Sequence, residues 1–577
     1  MRYVLANFIK RDKLVLLLKT CIGASAVMLY EGIRVTNILS LAIFTGSYCL
    51  FFRRNSLETW RVKKISSLVA GIIWVLTYLH GTQVLNSYEI SGLRKATAYI
   101  VMAVGLFLVI ERIIEIIYSY SAILIIGERK ERLDFKPWKI YVIILACWTP
   151  FFLWNFPGCV NSDSTTQVLQ ALGIYPYSNH HPVLQTWIIK GVFHVVSLYS
   201  DSYNLAIATF VIIQCLALAA IYTYVLQTIR NAGVSKAIFC IALAYYCIAP
   251  FNVMMSINMW KDTFFSGAMA LMVTALWRIY CEDNLIDLFL LYLGGIIVCM
   301  YRNNGWYAFL VTLPFMIIFL WKKKKKACFI LIMVFVTVIT IRGWVFKIVD
   351  VAEPNIMESL AVPMQQISSV VANNGDIDEG SRELLMSVVE LDKIESAYNP
   401  HEADWVKNII VSEGNTGIIT SKKNEFLRLW VKLGLKNPGL YLQAFVNQTE
   451  GFYTPDIQRW QYIEGVWDTD MPIYTTPLLP QPICKALKWY TGEWWYDIPI
   501  LGLIKSIGFW VWILFIAFGL CLIKKEYKAA SLFLPVLICW GTILLATPAY
   551  AEFRYAYSIF TTLPVLLVSS LYSRGNK

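Results

Sequence analysis

Four short stretches of this chain set polar, chemically able side chains beside long apolar runs. The first is Asn155 to Pro182, NFPGCVNSDSTTQVLQALGIYPYSNHHP. Asp163 is the only carboxylate from residue 140 to 200, His180 and His181 stand at the end of the stretch, and no Lys or Arg occurs from 140 to 189. A lone acid beside a His pair suits a general base acting on a hydroxyl, or a metal ligand with histidine help. The plainer alternative is that Asp163 caps a helix beginning at Ser164, since Asp is a favoured N-cap. The second stretch is Trp260-Lys261-Asp262. Lys261 could bind phosphate, anchor at an interface, or pair with Asp262. The third is Tyr301-Arg302-Asn303-Asn304-Gly305, where Arg302 is the only Lys or Arg between 285 and 321. A guanidinium matches phosphate oxygens with paired N–H donors; snorkelling toward water is the bland reading. The fourth holds Glu552 and Arg554, the only charges between 529 and 573. They stand two apart, so a continuous helix would not give them a common face, whereas a loop could bring them together as an ion pair.

Burying such groups among apolar segments is costly, which marks them as functional candidates. Asp163 is the candidate base. Arg302, Arg554 and Lys261 are the candidate phosphate ligands, and His180, His181, Asn303, Asn304 and Glu552 are candidate substrate contacts. The set suits a reaction in which a hydroxyl attacks and a phosphate leaves: the base takes the acceptor proton and the cations stabilise charge on the leaving group. No HExxH and no zinc pattern of Cys and His occurs, which argues against a dedicated zinc hydrolase.

The elements that must position these residues are membrane helices. Of 577 residues, 58% are hydrophobic and 15% charged, and the mean hydropathy is +0.56. Those values exclude an ordinary soluble enzyme. A span needs about 20 apolar residues, fewer when flanking side chains snorkel. Fourteen segments qualify on that reading: 14–30, 37–52, 65–84, 97–118, 139–154, 203–229, 237–256, 262–280, 286–301, 306–321, 327–346, 499–522, 530–548 and 556–572. The apolar segment 183–199 is left out, because counting it would put Arg230 and Lys236 on the wrong side of the five-lysine run at 322–326. It is expected to lie in the interface, where Gln185, Lys190 and His194 are at ease.

The expected fold is therefore all-α and polytopic, with about 14 transmembrane helices, interfacial helices in the first catalytic loop and one mostly helical extracytoplasmic domain. Residues 1–135 form an N-terminal four-span region, where Arg112 and Glu115 should make a structural ion pair. Residues 136–346 form the catalytic core with its outside loop 155–202, residues 347–498 the extracytoplasmic domain, and 499–577 a three-span C-terminal region. In the domain, helices are expected over 355–371, 381–397 and 440–450. The net charge of +12 is segregated. Short loops are basic and mark the cytoplasmic side, whereas 347–498 carries 12 Lys/Arg against 21 Asp/Glu. Basic residues dispersed in this way give no nucleic-acid-binding face. Both termini are expected in the cytoplasm, the four polar stretches outside it. No cleavable signal peptide is evident. Only Cys159 and Cys484 are expected outside, where they could pair or stay free.

The layout of an apolar span, an outside loop with an early acid (Asn161-Ser162-Asp163-Ser164), interfacial helices, further spans and a late outside domain resembles the GT-C class of polytopic membrane glycosyltransferases. That group contains protein O-mannosyltransferases and aminoarabinose lipid A transferases. The resemblance covers about residues 139–572, and the combination NFPG–NSDS–HHP with RNNG and AEFRY looks like a poorly characterised bacterial branch. It implies transfer of a sugar from a polyprenyl-phosphate carrier to an extracytoplasmic glycan, lipid or protein acceptor in the cell envelope, with Asp163 as base. Many members pair two acids in that loop; here Ser162 and Ser164 flank Asp163 and the second acid is missing. No cofactor is required by this reading. A divalent metal, Mg or Mn, would have Asp163 and His181 as its candidate ligands. The phosphate roles of Arg302 and Arg554 rest on charge placement, not on a motif. An O-antigen-type polysaccharide polymerase or ligase is the alternative; a transporter or flippase ranks below it, because no internal repeat is visible and the polar groups lie at span ends.

Overall fold

Apolar runs of this length fold as helices because every backbone donor and acceptor then finds its partner inside the segment. The computed structural model describes residues 2–53, 59–121, 135–282, 284–322, 324–455, 457, 459, 461–467, 469–498 and 501–572, the side chains of 2–12 and Tyr496 excepted. Among the described residues all named elements are helical, and strand-like pairing is confined to four isolated bridges.

Among the described residues eight helices are long and apolar enough to cross a membrane, or nine if a bent pair counts as one span. The chain is thus compatible with a multi-pass membrane protein. The count of fourteen is not reached, for local reasons. The expected span 237–256 is two helices, Lys236–Ile248 and Pro250–Ser256, bent by 48°; proline has no N–H to continue the first helix. The segment 499–522 is interrupted at Ser506, whose hydroxyl caps a new helix, Ile507–Ile523, by accepting from Phe509 N. The helix Gly92–Ser121 carries Glu111, Arg112 and Glu115, and Arg112 Nη1 lies 2.9 Å from Glu115 Oε2, the expected structural pair. Helices Ile38–Phe52, Leu285–Tyr301 and Val183–Ser197 are apolar but shorter, the last being the segment left out of the span count. Several of the basic positions behind the expected sidedness (54–58, 128–134 and 573–577) lie outside the described residues.

Among the described residues three hydrophobic cores are present. The main one joins the helices from Pro137–Trp154 onward to Phe553–Leu571. The N-terminal helices have their own, which reaches the rest through Leu520 and neighbours on Ile507–Ile523. A third holds residues between Met357 and Tyr441. The acidic segment 347–498 therefore divides: its first two thirds form a helical domain, while the remainder packs into the main core through Phe452, Tyr453, Ile463 and Ile473. Within the domain the expected helices are broken more often than expected. Residues 355–371 make a 3-10 turn, Ile356–Ser359, and a helix, Ala361–Ala372; residues 381–397 make Glu379–Met386 and Leu391–Ala397; and Pro438–Thr449 follows. Cys159 and Cys484 are both free thiols, each buried.

Candidate functional site

The position of Asp163 starts with a ribbon of backbone. Gly158 has φ +134, and a Cβ there would stand 2.6 Å from Val211 Cγ2, so only glycine fits. This lets residues 159–160 run between two other segments. Cys159 N donates to Ile257 O (3.0 Å) and Met259 N to Cys159 O (2.9 Å), while Val160 N donates to Gly465 O (3.0 Å) and Trp467 N to Val160 O (2.8 Å). The helix Ser162–Ala171 follows at once, and the same ribbon ends at Lys261. Asn161, not Asp163, caps that helix: its Oδ1 accepts from Ser164 N at 3.1 Å. The plainer alternative, a helix beginning at Ser164 with Asp163 as its cap, is therefore not what the structure shows. Asp163 lies in the first turn with its carboxylate free for other partners.

That carboxylate meets Arg554, whose Nη1 donates to Asp163 Oδ2 at 2.6 Å. Arg554 also pairs with Glu552, Nε to Oε1 3.0 Å. Glu552 is the N-cap residue of the helix Phe553–Leu571, outside helical geometry, and so the two residues do converge. Lys261 and Asp262 do not pair with each other. Asp262 is fully buried and is bonded by Arg302 Nη1. Lys261 Nζ instead reaches His180 O (3.4 Å) and His181 Nδ1 (3.5 Å). Among the described residues Lys261 makes no ion pair. The guanidinium carbons of Arg302 and Arg554 lie 4.6 and 5.3 Å from the Tyr555 ring centroid, so one aromatic face spaces the two cations.

These groups surround a cavity of about 260 Å³. Asp163, His180, Lys261, Arg302, Asn303, Asn304 and Arg554 line it. His181 and Glu552 do not: they stand behind Lys261 and Arg554 as their partners. Asn303 is also a structural partner, since its Oδ1 accepts from Arg342 Nη1 at 3.0 Å. The helices Ser162–Ala171, Lys261–Cys281, Asn303–Leu320 and Phe553–Leu571 all direct their N-terminal turns at this cavity. Unsatisfied N–H groups there add to the positive field.

The helical domain supplies the remaining wall, which sequence reasoning missed. Glu358, Asp404 and Lys407 line the cavity, Lys407 Nζ lying 3.2 Å from Glu358 Oε1 and 2.5 Å from Asp404 Oδ1, and Glu358 Oε2 lying 3.8 Å from His180 Nδ1. Backbone pairing fixes the domain there: Asn179 N donates to Ala352 O, Ala403 N to Pro548 O and Tyr550 N to His401 O.

Burial alone would push the Asp163 carboxyl up, but the charges of Arg554 and Lys261, with the hydrogen bond from Arg554, outweigh it and hold the group well below the usual carboxylate range. Burial, and then the Lys261 charge, push His181 down to about 2. It is neutral at ordinary pH and accepts from Lys261 at Nδ1. His180 is lowered by the same two causes, opposed by Glu358 and Asp163. Burial raises Glu552.

The donor set does not fit a divalent metal. Asp163 is committed to Arg554, His181 Nδ1 to Lys261, and among the described residues no group of three or more His, Cys, Asp or Glu converges as a metal site would. The arrangement instead suits an oxyanion. Arg302, Arg554 and Lys407 are each in direct contact with a carboxylate, whereas Lys261 touches only neutral acceptors and feels the Asp163 and Glu358 carboxylates at longer range, so an arriving anion finds an ammonium outside any direct ion pair.

The chain belongs to the family described as a family of unknown function (DUF6020), which matches residues 175–576. The matched range contains His180, His181, Lys261, Arg302, Asn303, Asn304, Glu552 and Arg554, and begins after Asp163. No curated protein and no solved structure matches the chain.

Proposed function

We propose that this chain is a GT-C-like membrane glycosyltransferase that moves a sugar from a polyprenyl-phosphate carrier to an acceptor hydroxyl outside the cytoplasm. One observation carries the reading: Asp163 shares a single cavity with Lys261, Arg302 and Arg554 at the ends of apolar helices. An amphiphilic donor could keep its polyprenyl tail in the bilayer and present its phosphate there.

In this account Lys261 and the two guanidiniums bind the donor phosphate. The acceptor oxygen attacks the anomeric carbon, the bond from that carbon to the phosphate oxygen breaks, and its electron pair leaves with the polyprenyl phosphate, stabilised by the same cations. The acceptor proton goes to Asp163. While Asp163 is paired with Arg554 it is a feeble base, because the cation lowers its proton affinity. A phosphate that draws Arg554 toward itself weakens that pair and adds negative charge nearby, and both raise the carboxylate's basicity when substrate is bound. Arg554 thus couples donor binding to activation of the base. The active site lies on the extracytoplasmic face of the cell membrane and the termini in the cytoplasm; the acceptor is a cell-envelope glycan, lipid or protein.

The test is transfer from a panel of radiolabelled polyprenyl-phosphate sugars in membranes. Transfer by wild type supports the reading. Chain growth from an oligosaccharide diphosphate carrier, without transfer from any monosaccharide carrier, would replace it with a polymerase.

A further inference from the structure

A second cavity, of about 310 Å³, lies inside the helical domain. It shares no lining residue with the charged cavity, although the 3-10 turn Ile356–Ser359 separates the two: Glu358 lines the charged one, Met357 and Ser359 this one. Its walls are apolar, among them Met364, Leu385, Val389, Ile394 and Trp430. The Trp430 indole N–H is already spent on Gln366 Oε1, at 2.8 Å. The cavity opens at the surface of the domain, so a ligand can enter it without the domain unfolding. Water is a poor occupant, since it requires several polar partners.

Ser359, Lys423 and Leu427 are the exposed residues on its lining, and among the described residues Lys423 is the only charged side chain there. From there Leu427, Val431 and Leu435, spaced four apart on the helix Lys423–Lys436, are 58%, 47% and 79% exposed. They form an apolar stripe on a helix that also carries Lys423 and Arg428, the pattern of a helix that meets a lipid surface, while its Lys432 and Lys436 are paired with Asp378 and Asp376.

We propose that this cavity holds one acyl chain of an anionic phospholipid, with the headgroup phosphate at Lys423. The apolar walls accept hydrocarbon and nothing charged. The stripe gives the chain an apolar track to the opening, and the ammonium there matches a phosphate. A chain with helices fit to span a bilayer has such lipids at hand. A donor whose phosphate sits in the charged cavity cannot thread its tail through the Ile356–Ser359 turn, so the occupant is a separate lipid.

The experiment uses the full chain in nanodiscs containing phosphatidylglycerol with a diazirine in its acyl chain; adducts are mapped after irradiation. Adducts are expected at residues 356–430 of the domain as well as in the spanning helices. Val389→Trp, which fills the cavity, should lose the domain adducts and keep the others; Ile367→Phe serves if that variant does not fold. Lys423→Glu should lower domain labelling. No domain adducts in folded wild type, or unchanged adducts in a folded filled variant, overturns the proposal. Domain labelling by a diazirine polyprenyl phosphate but not by phosphatidylglycerol does so too. None of these readouts measures sugar transfer, so the proposal stands or falls apart from that reading.

Discussion

The two ends of the helix Lys261–Cys281 both carry buried charge and differ in how it is matched. At the far end Arg278 pairs with Asp287 at 3.0 Å, Tyr224 donates to the same carboxylate at 2.8 Å, and the Arg278 guanidinium lies 4.8 Å from the Tyr224 ring centroid. The buried carboxylate there is met by a cation and a hydroxyl. At the near end Arg554 pairs with Asp163 and Glu552, Lys407 with Glu358 and Asp404, and Arg302 with Asp262, whereas Lys261 is in direct contact with a carbonyl and an imidazole only. A matched cluster holds helices together. One that leaves an ammonium facing a cavity can also bind an anion. Charge beside apolar helices is thus not enough to mark a site; the unmatched charge is what separates the two ends.

Breaking each end should give opposite results. Arg278→Met strands Asp287, which is 2% exposed, and should cost about 3 kcal/mol of stability by the usual penalty for an orphaned buried charge. Thermal unfolding in detergent checks this, with transfer per folded molecule unchanged. Lys261→Met removes no ion pair, so stability should barely move, while transfer falls about 10²–10³-fold, the usual loss for one stabilising donor. A steady-state assay on the purified variant reads it. A smaller effect comes from His181, 5% exposed and depressed to about 2. Its pKa is lower folded than unfolded, so the unfolded chain binds the proton first. Its contribution is nil above about pH 6.5 and becomes destabilising as pH falls below that value, amounting to about 2 kcal/mol by pH 5. His181→Gln should flatten the wild-type loss of melting temperature over that window. Glu358→Gln, at a partly exposed pair with Lys407, should cost about 1 kcal/mol or less.

Much of the near end was legible in the sequence because each charge stands alone among apolar neighbours. Asp163, Lys261, Arg302 and Arg554 were found that way, and all four line one cavity. Their pairing was not legible. Asp163 and Arg554 are 391 positions apart, and Lys261 sits next to the carboxylate it does not use, because successive helical side chains diverge. Glu358, Asp404 and Lys407 escaped notice because 347–498 is rich in charge, so no single one stood out. The cap was not legible, because Asn161 suits the role as well as Asp163 does; which of them has extended backbone is a tertiary matter. The break at Pro250 did have a signal, the proline itself, which hydropathy over the whole window concealed.

Asp163 carries the proposed chemistry, and the decisive measurement is transfer from a radiolabelled polyprenyl-phosphate sugar, wild type against Asp163→Asn, both checked for folding. Asn keeps the shape and removes the base. Wild-type transfer with a loss of about 10²–10⁴-fold in the variant, the range for a general base, is the predicted result. Equal transfer by the two would contradict it and remove Asp163 from the chemistry.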